Sequence, residues 1–215
     1  FAQATIGLDL PAPVTGGANR QDSCRMGIEA CHGTHPQRVL IHDAARPFIS
    51  HAVISNVIAE LDHCDAVIPG LPVADTMKFA PEGFIERTVD RGSMWFVQTP
   101  QGFAYDKILS AHRQAARDGR DSFTDDAAVA EYAGLQVRIA AGDQANRKLT
   151  TSHDVRVADR ELPPACLSNA PMCAPDKVSI FMCSKRVMAS RSAASRFPIP
   201  PNSRATPMPM QHSTH

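Results

Sequence analysis

VLIHDAARPFI, residues 39–49, decides the fold class because this stretch joins an apolar run directly to a polar loop. Residues 39–41 are all aliphatic, which is typical of a strand buried in a sheet. Asp43 and Arg46 follow this strand at once, and Pro47 ends the loop. Since ligands of α/β sheets bind beyond the carboxyl ends of strands, the polar residues at this position indicate a binding site.

Outward from this stretch, helical and strand patterns alternate between residues 21 and 161. A Pro-Glu-Gly turn at residues 81–83 lies between two short extended segments and predicts a hairpin. The alternation predicts an α/β domain with a largely parallel sheet. The predicted helices span 21–33, 50–63, 105–119, 124–134 and 151–162, with Ser50 and Thr124 as N-caps, and the predicted strands span 38–42, 65–73 and 135–142.

Composition excludes several classes of protein. Hydrophobic residues make up 43% and charged residues 20% of the 215 residues, which suits a globular domain. No apolar run of about 18 residues predicts a membrane span, and residues 1–17 do not resemble a signal peptide. The six cysteines form no CxxC pair, which favours reduced thiols in the cytoplasm. No basic stripe with interleaved aromatic residues is present, so neither a membrane nor a nucleic acid is an expected partner.

The composition changes after Leu162. Residues 1–162 hold 16 Lys and Arg against 21 Asp and Glu, a net charge of −5, whereas residues 163–215 hold 6 against 1, a net charge of +5. The second segment also contains 9 of the 17 prolines and 5 of the 8 methionines. We therefore predict one domain at 1–162 and a disordered C-terminal tail at 163–215.

The stretch GGANRQDS, residues 16–23, is the first of five polar clusters at the ends of predicted elements. Gly17 allows a ligand to approach the backbone closely, and Arg20 and Ser23 lie where a helix begins. Because a helix N-terminus favours anions, this cluster indicates a phosphate-binding turn. The alternative is an ordinary turn with a helix cap.

The other clusters supply charges and hydroxyl groups. Asp43 suits a ribose or a metal ion, and Arg46 suits a phosphate, although the two could simply form a local salt bridge. The further candidates could equally be surface groups or caps. They are the cations Arg91 and Lys148 and the hydroxyl donors Thr76, Thr99 and Thr124.

Taken together and in order, these clusters resemble the family of 2-C-methyl-D-erythritol 4-phosphate cytidylyltransferases over residues 13–161. The resemblance implies a Rossmann-like α/β fold with helices on both faces of the sheet and a protruding β-arm exchanged within a homodimer. It also implies a Mg²⁺-dependent nucleotidyl transfer in isoprenoid biosynthesis, from CTP to 2-C-methyl-D-erythritol 4-phosphate. The matching segments are GGANRQDS, VLIHDAARPFI, DTMK, TVDRGSMWFVQTPQGF, TDDAAVAEYAG and NRKLTTSHD.

The resemblance also implies a role for each candidate residue, with Asp43 as a ligand of the magnesium ion. The nucleotide-binding residues would be Gly17, Arg20, Ser23, Asp43 and Ala44. The phosphosugar-binding residues would be Arg46, Thr99 and Thr124, and the catalytic residues Thr76, Arg91 and Lys148. Because Arg91 lies in the arm, it is expected to act across the dimer.

Two features depart from the family pattern. The family's first strand and its AAGxGxR…PKQ loop have no counterpart here, so we expect the chain to begin after them, and Ala18 stands where the family has an acid. Two alternative functions follow. One is a non-catalytic dimeric fragment that binds the phosphosugar, and the other is a cytidylyltransferase for another polyol phosphate, such as ribitol phosphate.

The tail resembles a second enzyme in a different reading frame. After a shift of the codons, residues 178–182 can encode GFDIH and residues 205–210 can encode GHSDAD. Both resemble motifs of 2-C-methyl-D-erythritol 2,4-cyclodiphosphate synthase, to which some members of the family are fused. The tail is therefore interpreted as a frameshifted remnant of a bifunctional protein.

Overall fold

The computed structural model describes residues 12–161, 178–183 and 187–192. Within them, no helix is both long enough and apolar enough to cross a membrane. The helices are α1 (Arg20–Ala30), α2 (His51–Glu60), α3 (Tyr105–Arg117), α4 (Asp126–Tyr132) and α5 (Ser152–Glu161). The strands are β1 (Val14–Thr15), β2 (Arg38–Asp43), β3 (Ala66–Pro72), β4 (Met77–Phe79), β5 (Arg87–Val89), β6 (Trp95–Val97), β7 (Gln101–Ala104), β8 (Val137–Ala141), β9 (Val178–Cys183) and β10 (Val187–Ser192).

Eight of the described strands form the main sheet in the order β1-β10-β9-β2-β7-β3-β6, and β8 pairs with β3. The α/β class is confirmed, but the expectation of a mostly parallel sheet is wrong. Among the described strands of this sheet, β2 with β9 and β3 with β8 are parallel, and the other pairs are antiparallel. The physical reason is that β7 lies between β2 and β3 and runs against both, which makes the sheet mixed.

Strand β2 is buried on both faces, as its sequence predicts. Val39 and Ile41 lie in one core cluster with residues of α1, α3 and α4. Leu40 faces the opposite way and packs in a second cluster with residues of α2. Because successive side chains of a strand alternate between faces, the two clusters confirm that helices cover both sides of the sheet.

One of the two predicted helix caps is confirmed and the other is wrong. Ser50 caps α2, because its side chain accepts a hydrogen bond from the Val53 N–H. The cap of α4 is Asp125, which accepts from the Ala128 N–H, and Thr124 lies exposed one residue earlier. An aspartate serves as an N-cap at least as well as a threonine, so the neighbouring carboxylate takes this position.

The structure contains strands that the sequence patterns do not predict. Strands β6 and β7 are only three and four residues long, too short for a clear periodicity. Residues 178–183 pair in parallel with β2, and residues 187–192 pair with residues 178–183. Two described segments of the tail thus pair with the sheet, the disorder of the tail stays a prediction, and the rest of 163–215 lies outside the described residues.

Residues 75–91 form the predicted hairpin, called the arm below. Strands β4 and β5 pair with each other in a separate two-stranded sheet, with Met77 opposite Val89. At the tip of the arm, Phe84 is 79% exposed and Ile85 is 66% exposed. Large apolar side chains exposed side by side are typical of a surface that contacts a partner.

Gly102 of β7 lies where α2 packs onto the sheet. A Cβ atom at this position would lie 2.5 Å from Val57 Cγ1 and 2.9 Å from Leu61 Cδ1. We expect Gly102→Ala to lower the free energy of unfolding by about 1–3 kcal/mol, because the overlap forces helix and strand apart. Urea unfolding measures this change. Gly33→Ala is the control, since a Cβ there meets nothing within 4 Å, and equal effects of both substitutions would contradict the packing argument.

Asp154 stabilises the start of α5. Hydrogen bonds from the Thr150 and Thr151 N–H groups lower its pKa to about 2 from an ordinary 3.8. A carboxyl group whose pKa is depressed by folding stabilises the protein above its unfolded pKa, and this stabilisation disappears as pH falls through the folded pKa. Asp154→Asn should therefore lower the Tm at pH 7, by an amount that shrinks between pH 4 and pH 2. A difference in Tm that stays constant with pH would contradict this role.

Candidate functional site

Asp43, the last residue of β2, lies at the centre of a cluster of charges. The Lys148 Nζ atom is 2.9 Å from Asp43 Oδ2, and the Arg46 Nε atom is 3.9 Å from the same oxygen. On the other side, a guanidinium nitrogen of Arg20 lies 4.0 Å from Asp43 Oδ1. The structure thus brings together four predicted site residues, Arg20, Asp43, Arg46 and Lys148, which we call the Asp43 cluster.

Three separate parts of the chain supply the cations of this cluster. Arg20 is the first residue of α1, Arg46 lies in the loop after β2, and Lys148 lies in the loop after β8. The Leu149 N–H donates a hydrogen bond of 2.8 Å to the Ala45 carbonyl, which ties the last two loops together. The cluster therefore depends on the tertiary fold.

Gln98 and Asn146 hold the loop of Lys148 against the sheet. The Asn146 side-chain amide donates to the Thr99 carbonyl at 2.8 Å, and the Gln98 amide donates to the Asp143 carbonyl at 2.8 Å. Arg46 is fixed by the same loop, because it donates to the Asn146 carbonyl at 2.7 Å. Both amides lie in polar segments that the sequence marks, but their roles were not predicted, because partners more than forty residues away in the chain leave no local pattern.

The loop after β2 is fixed from beneath by His42 and Thr99, both of which are buried. Burial lowers the pKa of His42, which favours the neutral ring. The His42 Nε2 atom lies 2.9 Å from the Arg46 carbonyl oxygen and therefore donates to it, which leaves Nδ1 to accept from the Thr99 hydroxyl at 3.0 Å. The Thr99 oxygen in turn accepts from the Asp43 N–H at 3.0 Å. Thr99 thus shapes the site from within, and its predicted contact with the phosphosugar stays a prediction.

The turn before α1 is compact. The Gly17 N–H donates to Ser23 Oγ at 3.0 Å, and the Ser23 hydroxyl donates to the Asn19 carbonyl at 2.8 Å. A Cβ at Gly17 would lie 2.4 Å from the Cβ of Asp22, so only glycine fits without a shift. Asn19 caps the helix. These contacts match the interpretation as a turn with a cap, and nucleotide binding by Gly17 and Ser23 stays a prediction.

The remaining predicted residues lie apart from the cluster or make no described contact with it. Arg91 is exposed at the base of the arm and donates a hydrogen bond to the Ala74 carbonyl. Thr76 is exposed nearby, and Thr124 is exposed just before α4. Ala44 is exposed directly beside Asp43. Within the described part of the chain, no side-chain contact joins Arg91 or Thr76 to the Asp43 cluster.

A buried pair, Asp126 and His112, lies behind Arg20. Both side chains are fully buried, and the His112 Nε2 atom is 3.1 Å from Asp126 Oδ1. Burial acts to raise the pKa of Asp126, but the hydrogen bond with His112 and the charge of Arg20 outweigh it, so the pKa is lowered. Neither Asp126 nor His112 is among the candidate site residues that the sequence indicates.

The described residues offer few ligands for Mg²⁺. Among the residues that the structure describes, no group of three or more His, Cys, Asp or Glu side chains could hold a metal ion. Asp43 offers one carboxylate, at the centre of the cluster. That suffices for Mg²⁺, which commonly keeps several waters and binds through one or two carboxylates together with substrate phosphates.

Comparisons with known proteins agree on one family. Residues 5–163 match the family described as “IspD: 2-C-methyl-D-erythritol 4-phosphate cytidylyltransferase”. A “Bifunctional enzyme IspD/IspF” of Rhodopseudomonas palustris strain HaA2 is 52% identical over 155 residues, which cover 72% of this chain and 39% of the relative. The protein of the same name from Bradyrhizobium diazoefficiens is also 52% identical over 155 residues, with the same coverage. The chain thus spans about two fifths of the length of these curated relatives.

Solved structures give the same result. The 2-C-methyl-D-erythritol 4-phosphate cytidylyltransferase of Thermus thermophilus aligns with a TM-score of 0.62 at 34% identity, covering 67% of this chain and 70% of that one. The bifunctional IspDF of Campylobacter jejuni aligns with a TM-score of 0.56 at 28% identity, covering 66% of this chain and 35% of that one. The expected Rossmann-like likeness is confirmed by these neighbours.

Proposed function

The chain belongs to the 2-C-methyl-D-erythritol 4-phosphate cytidylyltransferase family, and we propose that it catalyses the reaction that gives the family its name. In this reaction, CMP passes from CTP to 2-C-methyl-D-erythritol 4-phosphate. The products are 4-diphosphocytidyl-2-C-methyl-D-erythritol and pyrophosphate, within non-mevalonate isoprenoid biosynthesis.

The observation that carries this proposal is the grouping of three cations around Asp43 at the carboxyl end of β2. Arg20, Arg46 and Lys148 bring three positive charges to a place where the described contacts show two carboxylates, Asp43 and the buried Asp126 behind Arg20. The excess positive charge suits two polyanions, a nucleoside triphosphate and a sugar phosphate. The end of a strand is also where ligands bind in α/β sheets.

The chemistry needs positioning and charge neutralisation. An oxygen of the sugar phosphate attacks the α-phosphorus of CTP, a new P–O bond forms, and the bond to the β-phosphate bridging oxygen breaks, which releases pyrophosphate. The attacking phosphate is already ionised, so the step needs no general base. Lys148 and Arg46 would hold the attacking phosphate and reduce its repulsion with the triphosphate.

Magnesium, if bound at Asp43, would neutralise charge on the triphosphate. Lys148 now pairs with Asp43 Oδ2, and its side chain is 47% exposed. An exposed ammonium group on a flexible stem can leave this oxygen and turn to a phosphate at little cost. Arg91 is a candidate contact to the phosphosugar of a neighbouring subunit.

Calorimetric titration tests the proposal directly. Mg·CTP should bind to the 215-residue protein more tightly than Mg·ATP or Mg·UTP, and 2-C-methyl-D-erythritol 4-phosphate should bind in its presence. Binding of both ligands without pyrophosphate release would support the non-catalytic alternative. Binding of neither ligand would contradict the proposed function.

We further propose that the chain forms a homodimer through the arm. The exposed tip residues Phe84 and Ile85 are accompanied by a second exposed apolar segment at residues 94–97. In this segment, Phe96 is 53% exposed and Trp95 43%. An apolar surface of this kind on a two-stranded extension suits a second copy of the chain.

Replacing Phe84 and Ile85 by serine should shift the protein from dimer to monomer in sedimentation equilibrium. The reason is that these side chains would bury apolar area in the partner, worth about 1.5–3 kcal/mol each. Val155→Ser removes a side chain that is 48% exposed on α5 and serves as the control. A wild-type protein that stays monomeric at all concentrations would contradict the dimer.

We also propose a cytoplasmic location, a domain boundary at residue 162 and a frameshifted tail. The cytoplasm is supported by Cys64, whose thiol is free, as a reducing compartment requires. The domain boundary at 162 and the frameshifted tail are supported by the change in composition and by the bifunctional names of the relatives. Sequencing of the gene tests the frameshift, and a synthase frame that continues without a shift near residues 163–177 would contradict it.

A further inference from the structure

The buried carboxylate of Asp126 pairs with Arg20 of the Asp43 cluster, although Asp126 itself is not among the candidate ligand-binding residues. It is the first residue of α4, and its side chain is fully buried. Its Oδ2 atom accepts a hydrogen bond of 2.7 Å from Arg20, and its Oδ1 atom lies 3.1 Å from His112 Nε2. The Cys24 thiol donates to Oδ2 at 3.7 Å. Burial of an ionised carboxylate costs free energy, and these partners offset that cost. The pairing with Arg20 indicates a role for Asp126 in the site.

Arg20 lies between two carboxylates and is closer to the buried one. Its guanidinium is 2.7 Å from Asp126 and 4.0 Å from Asp43. Charges attract more strongly where water is excluded, and Asp126 is fully buried whereas the Asp43 side chain is 15% exposed. The position of Arg20 relative to Asp43 is therefore set mainly from behind, by Asp126.

Asp126 is itself held in place by the sheet. The N–H groups of Asp126 and Ala127 both donate to Gln101 Oε1 at 3.0 Å, and the Gln101 amide donates to Asp125 Oδ2 at 2.8 Å. Gln101 belongs to β7 and is 1% exposed. Since β7 pairs directly with β2, the carboxylate that holds Arg20 is fixed relative to the strand that ends at Asp43.

We propose that Asp126 is a positioning residue for the nucleotide half of the site. Asp126 holds the Arg20 guanidinium beside Asp43 and prevents Arg20 from forming a close ion pair with Asp43. The inference rests on the proposed function. If Asp126 lost its charge, Arg20 would turn towards Asp43, whose carboxylate already lies 4.0 Å from it. Asp43 and Arg20 would then satisfy each other, and both would interact less with a nucleotide.

The first test compares ligand affinities. Asp126→Asn keeps the shape and removes the charge, and it should raise the Kd of Mg·CTP about tenfold, a typical effect of losing a residue that orients a binding group. The Kd of 2-C-methyl-D-erythritol 4-phosphate should stay within about twofold. Val129→Ala, at a fully buried site on the same helix, is the matched control. It should lower stability and leave both Kd values unchanged, and an equal rise in the two Kd values for Asp126→Asn would overturn the proposal.

A double-mutant cycle shows whether Asp126 acts through Arg20. In an Arg20→Met background, Asp126→Asn should change the Kd of Mg·CTP by less than about twofold. A full tenfold effect in that background would overturn the proposal. Should Asp126→Asn fail to fold, Arg20→Met alone must raise the Kd of Mg·CTP about tenfold, and an unchanged Kd would then be the contradicting result.

An NMR measurement without ligand separates this inference from the proposed function. The side-chain Nε–H signal of Arg20 in ¹⁵N-labelled protein should shift and exchange faster with water in Asp126→Asn but not in Val129→Ala. A signal that is the same in Asp126→Asn and wild type would overturn the positioning role. If that signal responds as expected but wild-type protein binds no Mg·CTP, the proposed function is wrong and the placement of Arg20 by Asp126 stands.

Discussion

Replacing Asp43 by asparagine is expected to lower kcat/KM for CTP by roughly 100- to 1,000-fold, the range seen when one preorganised electrostatic group of an active site is removed. Two effects combine. The substitution removes the carboxylate available to a nucleotide-bound cation, and it removes the ion-pair partner of Lys148. Steady-state rates of pyrophosphate release at varied CTP and Mg²⁺ concentrations measure the change.

Asp62→Asn is the matched control for this substitution. Asp62 also pairs with an arginine, Arg38, but its side chain is 57% exposed. Exposed ion pairs contribute about 0–1 kcal/mol, so kcat/KM should be unchanged within about twofold. An Asp43→Asn protein that keeps the wild-type dependence on CTP and Mg²⁺ would remove Asp43 from the site.

The second large effect is expected for Lys148→Ala. This change should lower kcat/KM for 2-C-methyl-D-erythritol 4-phosphate roughly 30- to 1,000-fold, because a charged hydrogen bond to the attacking phosphate is lost. The fold-change corresponds to about 2–4 kcal/mol of lost transition-state stabilisation. The KM for the phosphosugar should rise more than the KM for CTP. Separate titrations of the two substrates at saturating concentrations of the other measure this difference.

Lys107→Ala provides the comparison, since Lys107 is an exposed lysine on α3 away from the cluster. Its removal should change stability and kinetics by no more than about 0.5 kcal/mol. Equal kinetics of the Lys148→Ala and Lys107→Ala proteins would show that Lys148 is only a surface cation.

The parts of the fold that sequence analysis predicted are those with strong local signals. The aliphatic run at 39–41 is buried on both faces, and Ser50 caps α2 through its own side chain. The Pro-Glu-Gly turn forms the end of the arm. In each case a few consecutive residues determine the local structure, through aliphatic side chains that become buried, a side chain that caps a helix, or a turn sequence.

The parts that sequence analysis did not predict depend on contacts between distant residues. The direction of β7 follows from its place between β2 and β3, which no pattern in four residues specifies. Arg20 and Asp126 form an ion pair although 106 positions separate them. The Thr99 hydroxyl contacts His42 and the Asp43 N–H, and only the folded loop shows these two contacts.

The central claim is that the Asp43 cluster serves transfer of a cytidylyl group to 2-C-methyl-D-erythritol 4-phosphate. Pyrophosphate release by the purified chain with CTP and Mg²⁺ tests it most directly, with 2-C-methyl-D-erythritol 4-phosphate and ribitol phosphate as separate acceptors. We predict release that requires the first acceptor and is much slower with the second. Release of pyrophosphate with ribitol phosphate but not with 2-C-methyl-D-erythritol 4-phosphate would contradict the account. The absence of release with both acceptors would contradict it as well.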